Sequence, residues 1–187
     1  MSIVWSFSPF IAFALLSRFV PVTVALFTGA AVAAWLMVRD RIRHARSLKI
    51  LEVGTVVLFG GLGLYVLGRG GDWSIMEVRL AVDGGLFAIV LISMLIGQPF
   101  TLQYARERVS AEVAALPQFR TINYLLTGIW GLAFFVMTLA DFIMARVPAV
   151  PLWIGIGLTV AALGGATWFT SWYPAHRARA ANFPLER

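Results

Sequence analysis

Hydrophobic residues occur along this chain in six runs that are separated by short polar connections. A helix needs roughly 20 apolar residues to cross the hydrocarbon core of a bilayer, because each residue adds only ~1.5 Å. The runs cover residues 3–17, 19–38, 50–67, 80–96, 122–143 and 151–172. The pattern therefore predicts an all-α integral membrane protein, a bundle of six transmembrane helices.

The first of these runs is short for a full crossing, and Arg18 and Pro21 separate it from the second. Five crossings plus a half-inserted first helix is the alternative arrangement. We expect residues 1–173 to form a single transmembrane domain. Residues 174–187 are expected to form a cytoplasmic tail that is disordered from residue 175 onward.

The connection between the fourth and fifth runs has a helical period of its own. Its apolar residues recur at spacings of three and four, at Leu102, Ala105, Val109, Val113 and Leu116. This spacing predicts a cytoplasmic amphipathic helix on the membrane surface, bounded by Pro99 and Pro117. Arg106 and Arg108 lie off the apolar stripe and are candidate contacts to lipid or to a partner. A solvated connector is the alternative.

Basic residues are unevenly divided between the two sets of connections. One set and the tail hold eleven, namely Arg39, Arg41, Arg43, Arg46, Lys49, Arg106, Arg108, Arg120, Arg177, Arg179 and Arg187. The other set holds four, namely Arg18, Arg69, Arg79 and Arg146. Because cytoplasmic connections retain Lys and Arg, the chain is expected in the bacterial inner membrane as a multi-pass protein with both termini in the cytoplasm.

Composition agrees with a membrane protein and excludes several other classes. The chain is 60% hydrophobic and 13% charged, far from the average of soluble domains. Its net charge of +6 lies in short clusters beside the apolar runs, with no nucleic-acid-binding pattern around them. Anionic lipid headgroups are therefore the expected partner, and nucleic acid is not. The absence of cysteine excludes disulfides and thiol chemistry.

Ionisable residues inside a membrane segment are costly, so each one is a candidate for function. Asp83 lies inside the fourth run, roughly one turn from its outer end and four residues after Arg79, and the default interpretation is a structural ion pair between them. A proton or ion site is the alternative. The candidate intramembrane polar site consists of Arg79, Asp83 and Asn123. By contrast, Asp141 near the end of the fifth run is expected to be solvated.

Other polar residues have simpler interpretations. Glu52 is expected beside Lys49, where a carboxylate in the first turn complements the helix dipole. His44 and His176 lie on connections without neighbouring ligands, so no metal site is expected. No nucleophile or phosphate-binding loop is found either. We therefore expect no catalytic residues and no cofactor, and hence a protein that is not an enzyme.

Small residues form one-face stripes on the second and sixth predicted helices. The stripes are Ala25, Gly29 and Ala33, and Gly157, Ala161 and Gly165. Stripes of this kind let two helix backbones approach closely in a membrane. Close packing inside the bundle is the expected use of both, and a homodimer face is the alternative.

Several strings, in matching order, resemble the bacterial intracellular septation protein A family. They are the run at 9–14, the arginine-rich second connection, Val56-Val57-Leu58-Phe59-Gly60-Gly61-Leu62, Trp73, Leu86-Phe87-Ala88, Pro99, Leu116-Pro117-Gln118, Asn123, Trp130, Phe134 and Phe135. The chain departs from that family at Gln98, where a lysine is usual, in its longer connection at 101–120, and in its last helix and tail.

The resemblance implies a role in cell envelope integrity, elongation and division through contacts with other envelope membrane proteins, without catalytic residues. A non-enzymatic scaffold or accessory subunit is accordingly the first functional hypothesis. A small proton-linked transporter or a lipid-handling protein that uses Asp83 is the second, because Asp83 is the acid placed deepest in a predicted span.

Overall fold

The computed structural model describes residues 7–44, 48–70, 73–147 and 149–180. These ranges are mostly helical. The helices are α1 (Ser8–Leu16), α2 (Val22–His44), α3 (Ile50–Gly68), α4 (Ile75–Leu95), α5 (Phe100–Arg106), α6 (Ala111–Ala114), α7 (Pro117–Arg146) and α8 (Leu152–Ala180).

Five of the described helices are long and apolar enough to cross a membrane, namely α2, α3, α4, α7 and α8. A multi-pass membrane protein with an all-helical fold is therefore indicated. Six crossings are not confirmed, because the described α1 has nine residues and spans only about 14 Å. Residues 1–6 lie outside the described part of the chain, so the full extent of the first predicted run does as well.

The long helices pack in chain order, with α3 against α2, α4 against α3, α7 against α4, and α8 against α7. One end of the bundle holds the connection from α2 to α3 and the connection from α4 to α7. We call it the basic end, because it carries Arg41, Lys49, Arg106 and Arg120. The opposite end holds Arg18, Arg69, Arg79 and Arg146. The charge division along the sequence is thus also a division in space.

The first helix reaches the middle of the bundle through its aromatic residues. Phe7, just before α1, stacks on Trp130 of α7 with ring centroids 4.9 Å apart. Phe10 and Phe13 both contact the ring of Phe59 on α3. Trp130 is itself buried and donates its indole N–H to Thr170 Oγ1 of α8 at 3.0 Å. One aromatic centre therefore joins α1, α3, α7 and α8.

The single amphipathic helix expected between α4 and α7 is not confirmed. That connection forms the two short helices α5 and α6 instead, with a non-helical break before Ser110. Phe100, Leu102 and Tyr104 of α5 are buried in the bundle and do not lie along a membrane surface. The residues of the expected stripe therefore do not share one face of a single helix: Leu102 is buried, whereas Leu116 is exposed.

The last helix extends further than the apolar run predicts. It continues through Pro174 to Ala180, and so includes residues that were expected to be disordered. The stacking of Trp172 on His176, with ring centroids 5.0 Å apart, supports this additional turn. Alanine and arginine in the same stretch are also strong helix formers. Residues 181–187 of the predicted tail lie outside the described part.

Close helix contacts depend on a few glycines. A Cβ at Gly29 would lie 3.2 Å from Phe59, and a Cβ at Gly54 would lie 2.9 Å from Ile89. At Gly85, an added Cβ would overlap the side chain of Leu58. The backbones of α2, α3 and α4 therefore approach each other only because these positions carry no side chain.

Replacing Gly85 by valine is expected to destabilise the folded protein by about 1–3 kcal/mol, because Leu58 must move out of a well-packed position. Thermal unfolding in mild detergent measures the change. Gly61→Val is the matched control, since nothing lies near an added Cβ at Gly61. Equal melting temperatures for the two variants would contradict the packing described for α3 and α4.

Candidate functional site

A buried lysine lies at the basic end, just before α3. The side chain of Lys49 is 1% exposed, and its Nζ lies 3.4 Å from Glu52 Oε1 and 3.0 Å from Glu107 Oε1. Its ammonium group also lies 4.8 Å from the ring centroid of Tyr104. Lysine is rarely buried unless its charge is paired, so these contacts explain how it is held there. We call Lys49, Glu52, Tyr104 and Glu107 the lysine cluster.

The short helix α5 is fixed in place next to this cluster. Gln103 Oε1 accepts a hydrogen bond of 2.8 Å from the backbone N–H of Ile50, which satisfies one of the free donors at the start of α3. At the other end of α5, the Ser93 hydroxyl accepts from the N–H of Phe100 at 3.2 Å. These bonds connect α5 to both α3 and α4.

A further carboxylate lies close to the lysine cluster. Asp40, near the end of α2, is 2% exposed and pairs with Arg39 at 3.1 Å. It is near enough for its charge to act on Glu52. Charged groups from α2, α3 and the end of α5 therefore meet at the basic end. In the described ranges, no three acidic or histidine side chains are arranged so that they could hold a metal ion.

Asn123 is separated from the other members of the expected polar site. It lies near the basic end of α7, where its backbone C=O accepts a 2.8 Å hydrogen bond from Thr101 Oγ1. The Thr101 and Thr127 hydroxyls are also 2.8 Å apart. This group of polar side chains joins α5 to α7, while Arg79 and Asp83 lie toward the opposite end on α4. The structure thus divides the expected site into two places.

The expected pair of Arg79 with Asp83 is replaced by a pair across two helices. Arg79 Nη2 lies 3.4 Å from Asp141 Oδ1 of α7, and Asp141 is 2% exposed. The expectation that Asp141 is solvated was therefore wrong, because packing of α4 against α7 covers it. The carboxyl group of Asp83 lies within hydrogen-bonding reach of that of Asp141. We call Arg79, Asp83 and Asp141 the outer triad.

Arg106 and Arg108 flank Glu107 at the end of α5, and both are exposed. Glu107 faces Lys49, so the two arginines lie at the edge of the lysine cluster. Nearby, the Ser110 hydroxyl and the backbone of Glu112 hydrogen-bond to the Glu112 carboxylate and hold its pKa below the usual range. This surface therefore carries both signs of charge.

The two small-residue stripes lie in different surroundings. Ala25, Gly29 and Ala33 of α2 are buried, and Gly29 faces Phe59. Gly157, Ala161 and Gly165 of α8 are exposed, and nothing lies near an added Cβ at either glycine. The expected close packing of this second stripe inside the bundle was wrong, because α8 turns that face outward. Its use as a homodimer face stays a prediction.

An apolar groove of about 500 Å³ opens between α3 and α4. Its walls come from the first half of α3 and the second half of α4, which places it in the half of the bundle nearer the basic end. The lining residues are Leu48, Lys49, Ile50, Val53, Gly54, Val57, Leu58, Gly85, Ile89 and Ile92. No member of the outer triad is among them.

The sequence did not predict that Glu107 belongs to the lysine cluster or that Asp141 belongs to the outer triad. Glu107 lies far from Lys49 in sequence, and the connection that holds it was expected on the membrane surface. Asp141 had one detectable signal, because it lies inside the fifth apolar run, two residues before that run ends at residue 143. A carboxylate at that depth calls for a partner, and Arg79 at the start of α4 was a candidate.

No protein-family model, curated protein or solved structure matches this chain. The resemblance to the septation protein A family therefore stays a prediction from the residues that carry it.

Replacing Lys49 by methionine is expected to lower the free energy of unfolding by about 3–5 kcal/mol, because two largely buried carboxylates lose their cation. Adding Glu107→Gln to that variant is expected to restore part of the loss. A double-mutant cycle of Lys49→Met and Glu107→Gln, followed by denaturant unfolding in detergent, measures the coupling. Strictly additive effects would show that the lysine cluster is not an energetic unit.

Proposed function

We propose that this chain is a non-enzymatic protein of the bacterial inner membrane, with a scaffold or accessory role in cell envelope integrity, elongation or septation. The observation that carries the proposal is that its buried charges are paired with one another. Lys49 pairs with Glu52 and Glu107, and Arg79 pairs with Asp141. Charges arranged in this way stabilise contacts between helices and leave the described groove apolar.

Exposed surfaces of the bundle supply the contacts that such a role requires. The outward face of α8 is apolar and carries small residues that allow a second helix to approach closely. Arg106 and Arg108 are exposed at the basic end, where anionic headgroups or another envelope protein would meet them. The excess of arginine at this end supports its placement in the cytoplasm. The septation protein A resemblance supports the cellular process.

Deletion of the gene in its host is the direct test of the cellular role. We expect longer cells, displaced septa or increased sensitivity to detergent, with wild-type behaviour restored by the full chain. Cell length, septum position and detergent survival are measured together. Unchanged cells under all three measurements would count against a role in the envelope.

Charge reversal of Arg106 and Arg108 to glutamate is expected to weaken retention of lipid or partner. Each near-surface arginine contributes about 1 kcal/mol of attraction to an anionic leaflet, and reversal turns attraction into repulsion. Quantitative mass spectrometry of lipids and proteins retained in mild detergent measures the loss. Arg18→Glu is the control, since it reverses an exposed arginine at the opposite end of the bundle. Identical retention in all samples would oppose this use of the surface.

Lipid handling is the second candidate function, and the groove between α3 and α4 favours it. The lining from Ile50 to Leu58 rises about 12 Å along α3, which is about two-fifths of the ~30 Å hydrocarbon core. One acyl chain of a lipid in the leaflet at the basic end matches this length and the apolar lining. Asp83 does not line the groove, so a proton-linked transporter gains no support from it.

Filling the groove should displace that acyl chain. Val57 is 67% exposed within the groove, so Val57→Trp adds bulk without displacing neighbouring helices. We expect several-fold less lipid on the purified protein by native mass spectrometry. Leu64→Trp is the matched control, because Leu64 is similarly exposed on α3 but does not line the groove. Equal lipid on both variants would rule out the groove as the binding place.

A further inference from the structure

The outer triad contains one cation and two carboxyl groups within apolar helices. Arg79 Nη2 forms its ion pair with Asp141 Oδ1 at 3.4 Å. Asp83, one turn after Arg79 on the same helix, lies against Asp141. With both carboxyls ionised, the triad would carry one uncompensated negative charge.

An uncompensated charge is costly at this depth. Asp83 is the ninth residue of α4, about 12 Å from the start of that helix. Ionised side chains inside a span cost several kcal/mol unless they are paired. When two carboxyl groups lie this close, one of them retains a proton, because two adjacent negative charges repel each other. The pairing of Arg79 with Asp141 identifies Asp83 as the one that retains it.

Hydrogen bonding leads to the same assignment. Asp141 Oδ2 is buried, and no hydrogen-bond donor reaches it among the described residues. A buried acceptor without a donor costs about 1–3 kcal/mol, and more when it is charged. A neutral Asp83 has an O–H group that supplies this donor, whereas an ionised Asp83 has none.

The other charged groups described on the neighbouring helices have partners of their own and do not neutralise an ionised Asp83. On α3, the outer residues Tyr65 and Arg69 pair with each other at 3.1 Å. On α7, the guanidinium of Arg146 lies over the ring of Phe142. On α4, Glu77 is exposed and hydrogen-bonds to Ser74 at the start of the helix. Within the described ranges, Arg79 and Asp141 are the charged groups that act on Asp83.

We propose that Asp83 is a proton-binding residue, held at neutral pH as a carboxylic acid that donates a hydrogen bond to the Asp141 carboxylate, which Arg79 neutralises. The ligand of this site is a proton, and the triad with its proton is electrically neutral. The proposal goes beyond the accessory role and does not depend on it. It also replaces the expected Arg79–Asp83 ion pair with a different arrangement of the same residues.

Infrared difference spectroscopy of the full chain in lipid bilayers tests the proposal, because a protonated carboxyl has a C=O stretch that an ionised one lacks. We expect that band at neutral pH in the wild type and its loss in Asp83→Asn. Asp141→Asn should also remove it, because Arg79 then neutralises Asp83 directly. Glu77→Gln is the control on the same helix and should retain the band.

Asp83→Asn also separates this arrangement from a purely structural ion pair. An asparagine amide N–H can donate to Asp141 in place of the acid, so the melting temperature should change little. An Arg79–Asp83 ion pair predicts marked destabilisation instead. The proposal is overturned by a wild-type spectrum without the band, by a band that survives Asp83→Asn, or by a band that appears only when Na⁺ is removed. The last result would assign the site to a cation.

Discussion

The lack of water in the hydrocarbon core is the constraint on which this structure depends, because every polar group placed there needs a partner within the protein. Long helices satisfy this for their own backbones. The difficult segment is the turn from α4 into α5, where the chain leaves one helix and enters the bundle again. Ser93, Thr101 and Gln103 form hydrogen bonds around this turn, to or from the backbone of α5, α7 and α3. A few short polar side chains therefore allow a seven-residue helix to be buried.

The same constraint explains the arrangement of charge. At the basic end Lys49 is enclosed by carboxylates from two segments, and at the opposite end Arg79 meets carboxyls from two helices. In both places a single cation joins elements that are distant in sequence. The surroundings differ, however. Asp40 and Arg39 add a second ion pair near the lysine cluster, whereas the outer triad has no second cation among the described residues. The proton that we propose on Asp83 would balance the charge at the outer triad.

Much of the fold could be predicted from the chain because the length of an apolar run depends only on local sequence. Five of the predicted runs correspond to helices able to span a membrane. The burial of α5 could not be predicted, since the period of its apolar residues fits a membrane surface as well as a bundle interior. The partner of Arg79 was missed for a related reason. Spacing along one helix favours Asp83, but the choice of Asp141 depends on how α4 packs on α7. One sequence alone contains no record of that contact.

The length of α7 has a consequence for where the protein can reside. Arg120 and Arg146 lie 26 residues apart near its two ends, or about 39 Å, while the hydrocarbon core is ~30 Å thick. At that separation both guanidinium groups lie in the headgroup regions, and a thinner bilayer requires α7 to tilt to keep them there. A thicker bilayer accommodates this helix with less tilt than a thin one. Since α4 and α8 both pack on α7, bilayer thickness acts on the angles of the whole bundle. The lipid composition of the membrane is thus a physical input to the conformation of this protein.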